Sequence, residues 1–99
     1  MYPNTEGGRF DLPYYCNTHM RLVRELIGPA LKGLRVEQGI GGGAPGSAPT
    51  YIALGHLEFD SVEAAEKALQ THAPALMSDI PNFTNLEPVM QFSEVTLDS

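Results

Sequence analysis

The stretch from Phe10 to Val23 constrains this chain more than any other. Its first residues carry a helix start. The Asp11 carboxylate can accept from an unpaired first-turn N–H. Pro13 costs little there, because its missing N–H would have no intrahelical partner anyway. Steps of about 100° per residue divide the helix into two arcs. Leu12, Tyr15, Cys16, His19, Leu22, Val23, Leu26 and Ile27 share the apolar arc. Tyr14, Asn17, Thr18, Arg21, Arg24 and Glu25 share the polar one. Gly28-Pro29 ends the helix. A histidine therefore stands in the middle of a face that must be buried.

The remaining elements are set by period and punctuation. Met1-Tyr2 reads as the end of a short strand, and Pro3-Asn4 with Gly7-Gly8 as turns. From Leu31 to Ile40, the residues Leu34, Val36 and Ile40 alternate with Arg35, Glu37 and Gly39, which is strand periodicity. Gly41 to Pro49 reads as a long flexible hairpin loop. It is no phosphate cradle, since no GK[ST] comes after it and no helix N-terminus faces it. Tyr51 to Phe59 is the clearest strand, with apolar residues on both faces. One face meets the helices, and the other calls for a second subunit. Ser61 caps a second helix with Glu63 near its positive end. Val62, Ala65, Leu69, His72 and Leu76 fall on its apolar arc. Pro74 is expected to interrupt it near His72-Ala73. Asp79 to Asn85 is a loop, and Pro88 to Thr96 a last strand. The order β-α-β-β-α-β is the ferredoxin-like α+β pattern, an antiparallel sheet with two helices on one face.

Length and charge exclude several functions. The 99 residues make one domain. A domain so small leaves much surface exposed, so self-association would bury more. The net charge is −6 and the six basic residues are scattered, which argues against nucleic acid and against an anionic membrane surface. No apolar run reaches the length of a membrane span, and no signal peptide is visible. The single cysteine, Cys16, allows no intrachain disulfide and fits a reducing cytoplasm.

Several runs, in order, resemble the EthD-like family, named for ethyl tert-butyl ether degradation. They are Tyr2-Pro3-Asn4, Arg9-Phe10-Asp11 with Tyr14-Tyr15, and Asn17-Thr18-His19-Met20. Next come Gly28-Pro29-Ala30-Leu31-Lys32-Gly33 and Gly42-Gly43-Ala44-Pro45-Gly46. The last are Gly55-His56-Leu57, His72-Ala73-Pro74, Asp79-Ile80-Pro81-Asn82-Phe83-Thr84 and Glu87-Pro88-Val89. Two departures stand out. The family usually has a full first strand where this chain has Met1-Tyr2. It also often has proline where this chain has Arg21, so a straighter helix is expected here. The resemblance implies a dimeric α+β barrel, in which two sheets meet face to face in a homodimer. It implies a small pocket between sheet and helices, and no cofactor. It implies a cytoplasmic protein that binds, and on one reading transforms, a small hydrophobic catabolic intermediate of oxidative, ether-type degradation. The chemistry of related barrels is cofactor-free oxidoreductase or monooxygenase, or cyclase or lyase. The alternative is a non-catalytic accessory module supporting a monooxygenase.

Five residues are candidates for the site. His19 is suited to acid–base work because histidine titrates nearest neutral pH. It serves equally as a neutral core residue bonded to a carbonyl. Tyr15, one turn earlier, can bond a carbonyl or phenol in the same pocket. Tyr51 and His56 are candidate ligand contacts, with His56 either lining the pocket or lying in the dimer interface. Asp79 either orients a histidine or ends the second helix. Cys16 reads as a small buried hydrophobe rather than a nucleophile, and His72 as helix-end structure. No HxH or HxxxH spacing suggests a metal.

Overall fold

The computed structural model describes residues 1–98. The three strands form one antiparallel sheet in the order β1-β3-β2. Tyr2–Pro3 is β1, Gly33–Gln38 is β2 and Tyr51–Glu58 is β3. β2 and β3 pair continuously from Gly33 opposite Glu58 to Gln38 opposite Ala53. β1 lies along the other side of β3, with Tyr2 opposite Ala53 and an irregularity before Pro3. Ala53 is therefore enclosed by strands on both sides and by helices above, and is 0% exposed.

Two helices cover one face of this sheet. The first occupies residues 12–27 and the second is Val62–Asp79. Both start as their caps dictate. Asp11 Oδ1 accepts from the Tyr14 amide at 3.1 Å, and Ser61 Oγ from the Ala64 amide at 3.1 Å. Gly28 ends the first helix at φ +68°, a backbone state that glycine adopts without steric cost. Between helices and sheet lies a core of Tyr2, Tyr15, Met20, Val23, Ile27, Ala53, Leu76 and Phe83. The molecule measures 40 × 35 × 19 Å, which is two layers thick. The far face of the sheet has no third layer among the described residues.

Several expectations need correction. The first helix is not straight, because Tyr15–His19 is a π-turn closed by the Met20 amide on the Tyr15 carbonyl. One extra residue per turn moves the phase of everything around it. Met20 is thereby buried, and Cys16 turns outward to become an exposed free thiol. Ile40 lies beyond the end of β2 and is 94% exposed, one residue past the last bond between the strands, from the Gly39 amide to the Ile52 carbonyl at 2.9 Å. Val62, the first residue of the second helix, is exposed too.

The second helix runs through Pro74 without a break. Proline removes the bond to the carbonyl of Gln70, and Gln70 is exposed, so water can take that place. Finally, no strand comes after the second helix among the described residues. A last strand would need β1 as its partner, and β1 is two residues long with a proline among them. Only Val89 is paired, in a reciprocal couple with Met1: the Val89 amide donates to the Met1 carbonyl at 2.7 Å, and the Met1 amine to the Val89 carbonyl at 2.9 Å. The tail from Met90 to Asp98 is exposed.

Candidate functional site

The N-terminal end of the first helix is tied to the segment after the second. The Asp11 amide donates to the Phe83 carbonyl at 2.7 Å, and Phe10 bridges to Thr84. The Arg9 amide donates to Asn85 Oδ1 at 2.7 Å. This clasp joins residues from opposite ends of the chain. It seats Phe83, 1% exposed, against the rings of Tyr2, Phe10, Tyr14, Tyr15 and His19. The same clasp lays the last residue of the second helix, Asp79, against the middle of the first.

His19 is 6% exposed and pairs through Nδ1 with Asp79 Oδ2 at 2.9 Å. Its ring stacks on Tyr15 at 5.6 Å with 14° between planes, and Phe83 covers another side at 4.7 Å. The other carboxylate oxygen of Asp79 is held twice. The Tyr14 hydroxyl donates to Oδ1 at 2.7 Å and the Asn82 amide at 2.9 Å. Burial pushes the Asp79 carboxyl upward, but hydrogen bonds from Asn82, His19 and Tyr14 outweigh it. The net result lies below the ordinary carboxylate value. Such a carboxylate is ionised at neutral pH and only accepts, so Nδ1 must carry a proton. Neutral His19 then has its lone pair on Nε2. Nε2 has no hydrogen bond to the described residues and is not sealed from solvent.

The sign of the Asp79 shift predicts an acid limb. A carboxyl whose folded pKa is depressed stabilises the fold above its unfolded value, and that contribution is lost as pH falls through the folded value. Thermal unfolding monitored from pH 7 down to pH 3 should show Tm falling below about pH 4. Asp79→Asn should flatten that limb; an unchanged slope would mean that other carboxylates cause it.

Tyr15 is held by the sheet beneath it. A Cβ at Gly55 would collide with the Tyr15 hydroxyl and approach Met20 Cε to 3.2 Å, so glycine makes room for the phenol on β3. Burial, chiefly, raises the Tyr15 phenol well above its usual pKa, so it remains a neutral hydrogen-bond donor. Of the five candidates, the structure brings Tyr15, His19 and Asp79 together. His56 is absent from this cluster: it lies on the uncovered face of the sheet, half-exposed, with Nε2 2.7 Å from Glu37 Oε1. Tyr51 is half-buried at the start of β3, opposite Pro3. The sequence reading missed Tyr14, Asn82 and Phe83. Period puts Tyr14 on the polar arc, and its only local hint is its place three residues after the Asp11 cap.

On the other side of the first helix, an open groove of about 370 Å³ runs between that helix and β2. Met20, Leu34 and Val36 line it, with Cys16, Arg21 and Arg24 along the helix side. A second hollow, about 590 Å³, lies beside Pro3 and the segment from Asn85 to Val89. His19 lines neither.

Two helices on an antiparallel sheet, in this order and with this strand arrangement, define an α+β protein of the ferredoxin-like kind. The EthD domain model matches residues 11–87, a span that holds the whole His19–Asp79 cluster. The chain belongs to the EthD family. An EthD-like protein from Ralstonia eutropha JMP134, with a crystal structure at 2.10 Å resolution, is similar to it over its whole length. The TM-score is 0.92 at 40% identity, covering 100% of this chain and 89% of that one. No curated protein matches. No helix among the described residues is long and apolar enough to cross a membrane.

Proposed function

We propose that this protein binds a small hydrophobic intermediate of oxidative, ether-type degradation, and that His19 acts on it as a general base and acid through Nε2. The observation that carries this reading is the fixed carboxylate behind the histidine. Asp79 accepts from Nδ1 while Tyr14 and Asn82 hold its second oxygen. A carboxylate bonded to one imidazole nitrogen sets the tautomer, orients the ring and stabilises the imidazolium that forms when the other nitrogen takes a proton. Tyr15, kept neutral by burial, would donate to a carbonyl or phenolate oxygen of the ligand. No cofactor is assigned to this chemistry.

The protein would work as a cytoplasmic homodimer. The uncovered sheet face carries half-buried Ile52 and Leu54, and the molecule is only 19 Å thick. His56 and Glu37 stand on that face and would meet the second subunit, whereas Tyr51 alternates onto the face of Ala53 and Gly55, where it would contact the ligand at the end of the sheet. An exposed Cys16 thiol suits a reducing compartment.

The accessory reading has one observation in its favour. The ring of His19 is covered by Tyr15 and Phe83, and neither hollow reaches it. A module that supports an oxygenase needs no turnover site. Small carbonyl compounds, phenols and alcohols are therefore screened by thermal shift, and the ligands found are incubated with protein in D2O. Proton NMR should show deuterium entering at carbon next to a carbonyl. His19→Gln should keep the thermal shift and slow this exchange by about 100-fold or more. Binding without exchange or conversion by the wild-type protein would sink the catalytic reading and leave the accessory one.

A further inference from the structure

The groove between the first helix and β2 encloses about 370 Å³, inside the range of small-molecule sites, about 300–1,000 Å³. Its floor is apolar, from Met20, Leu34 and Val36. Arg21 and Arg24 stand along its helix side, spaced so that they are neighbours on the helix surface. The ion pairs among the described residues join His19 to Asp79, Lys32 to Asp60 and His56 to Glu37, and use neither arginine. In a chain of net charge −6, two neighbouring guanidinium groups without a carboxylate are a local exception.

A polar group lies behind the floor. Val36 and Gly55 stand opposite each other in the β2–β3 ladder, so they share the face under the helices. The Tyr15 hydroxyl and Met20 Cε both lie over Gly55, where a Cβ would meet them. Tyr15 as a residue is 3% exposed. Its hydroxyl makes no hydrogen bond to a described residue, yet no buried polar atom there is sealed without a partner, so this oxygen faces open space. The Met20 thioether stands between it and the groove, and an unbranched side chain with rotatable bonds along its length can turn aside. The Tyr15 ring stacks on His19, so the groove approaches that pair from the Tyr15 side.

We propose that the groove binds a small oxo acid, with its carboxylate between Arg21 and Arg24, its apolar body on Met20, Leu34 and Val36, and its carbonyl oxygen on the Tyr15 hydroxyl. Each part of the site selects one part of the ligand. Guanidinium groups hold a carboxylate by charge-assisted hydrogen bonds. The floor offers nothing to a polar body, which would lose its water there without return. The Tyr15 phenol, kept neutral by burial, donates to a carbonyl. All these contacts are made by side chains and leave the backbone edge of β2 unused. The inference rests on the ligand binding proposed above and adds the substrate class and its anchor.

Isothermal titration calorimetry on the full chain tests it with three probes. They are benzoylpropionate, its methyl ester, and phenylbutyrate, which keeps the carboxylate and lacks the ketone. Benzoylpropionate should bind best, and its ester weaker by about tenfold or more, the loss of a charge-assisted contact. Arg21 and Arg24 are exposed, and the double variant R21Q with R24Q should lose the preference for acid over ester. Binding of the acid to the wild type should weaken as salt rises. Tyr15→Phe keeps the ring, and should bring benzoylpropionate down to the level of phenylbutyrate while the preference for acid over ester remains. Circular dichroism and sedimentation equilibrium compare fold and association state with the wild type. Equal binding of acid and ester, no binding of any probe, or a double variant that binds as the wild type does would overturn the inference. So would a double variant changed only in self-association, since the arginines would then serve a contact between copies. Arginine-dependent binding without deuterium exchange would defeat the catalytic role of His19 and leave this site standing. Exchange on ligands that ignore the arginines would do the reverse.

Discussion

Replacing Phe83 by alanine should bring the protein close to unfolding. The ring is 1% exposed and touches Tyr2, Phe10, Tyr14, Tyr15 and His19, with centroids between 4.7 and 6.0 Å. Truncating a buried phenylalanine costs about 3–5 kcal/mol, from lost transfer energy and from the cavity left behind. Whole domains have only about 5–15 kcal/mol of stability. Tm should fall by about 15 °C or more, since each kcal/mol is worth roughly 4–8 °C in a chain of this size. Phe92→Ala is the control. Its ring is 51% exposed, and its stability effect in dilute monomer should stay within about 0.5 kcal/mol. Equal losses from both substitutions would mean that Phe83 is not the keystone of the aromatic cluster. A methyl group at position 83 would also uncover the side of the His19 ring that Phe83 covers, so His19 should gain solvent while the backbone clasp persists.

Asp79→Ala should have the second largest effect, for an electrostatic reason. It leaves His19 Nδ1, the Tyr14 hydroxyl and the Asn82 amide without their acceptor at once. Stranding one buried polar group costs about 1–3 kcal/mol. His19 is the only one of the three that is deeply buried, and the other two can turn to water, so a loss of about 1–3 kcal/mol is expected, read as a shift in the urea midpoint. Asp79→Asn separates chemistry from stability. The amide keeps an oxygen acceptor for Tyr14 but can turn its NH2 toward His19. Nitrogen NMR of the His19 ring should then show the proton moving from Nδ1 to Nε2. That places a donor where the wild type has a lone pair, and general-base activity should disappear while the fold persists. An unchanged tautomer in Asp79→Asn would remove Asp79 from the role of orienting His19.

Local chemistry reaches only part of the way along the first helix. Asp11, Pro13 and Gly28 set its limits, and all three act within one turn of their own position. The period of its apolar residues places His19 and Tyr15 inside. The same period places Cys16 inside and leaves Met20 off the buried arc, and both are reversed. An amphipathic pattern assumes a constant angle per residue, whereas the π-turn at Tyr15–His19 inserts one extra residue. Nothing within the stretch announces that insertion. It fits the seat of the Tyr15 hydroxyl over Gly55, which belongs to another element.

The segment from Pro88 to Thr96 fails as a strand for a different reason. It has a strand's alternation, but a strand is completed by its neighbour's N–H and C=O groups. The length of β1 decides how much of it can pair, and only Val89 finds a partner there. Periodicity carries no information about that length.

Legible in the residues alone were the elements that close on their own hydrogen bonds or caps: both helices, the β2–β3 hairpin, and a histidine turned toward the core. The surroundings of that histidine were settled by packing. Asp79, Asn82 and Phe83 reach the His19 neighbourhood only because the Phe10–Thr84 clasp folds the chain's two ends onto each other. Capping and period act over a few residues. A hydrogen-bonded pair as distant in sequence as His19 and Asp79 depends on which surfaces are left to pack, and that is settled only when the layers meet.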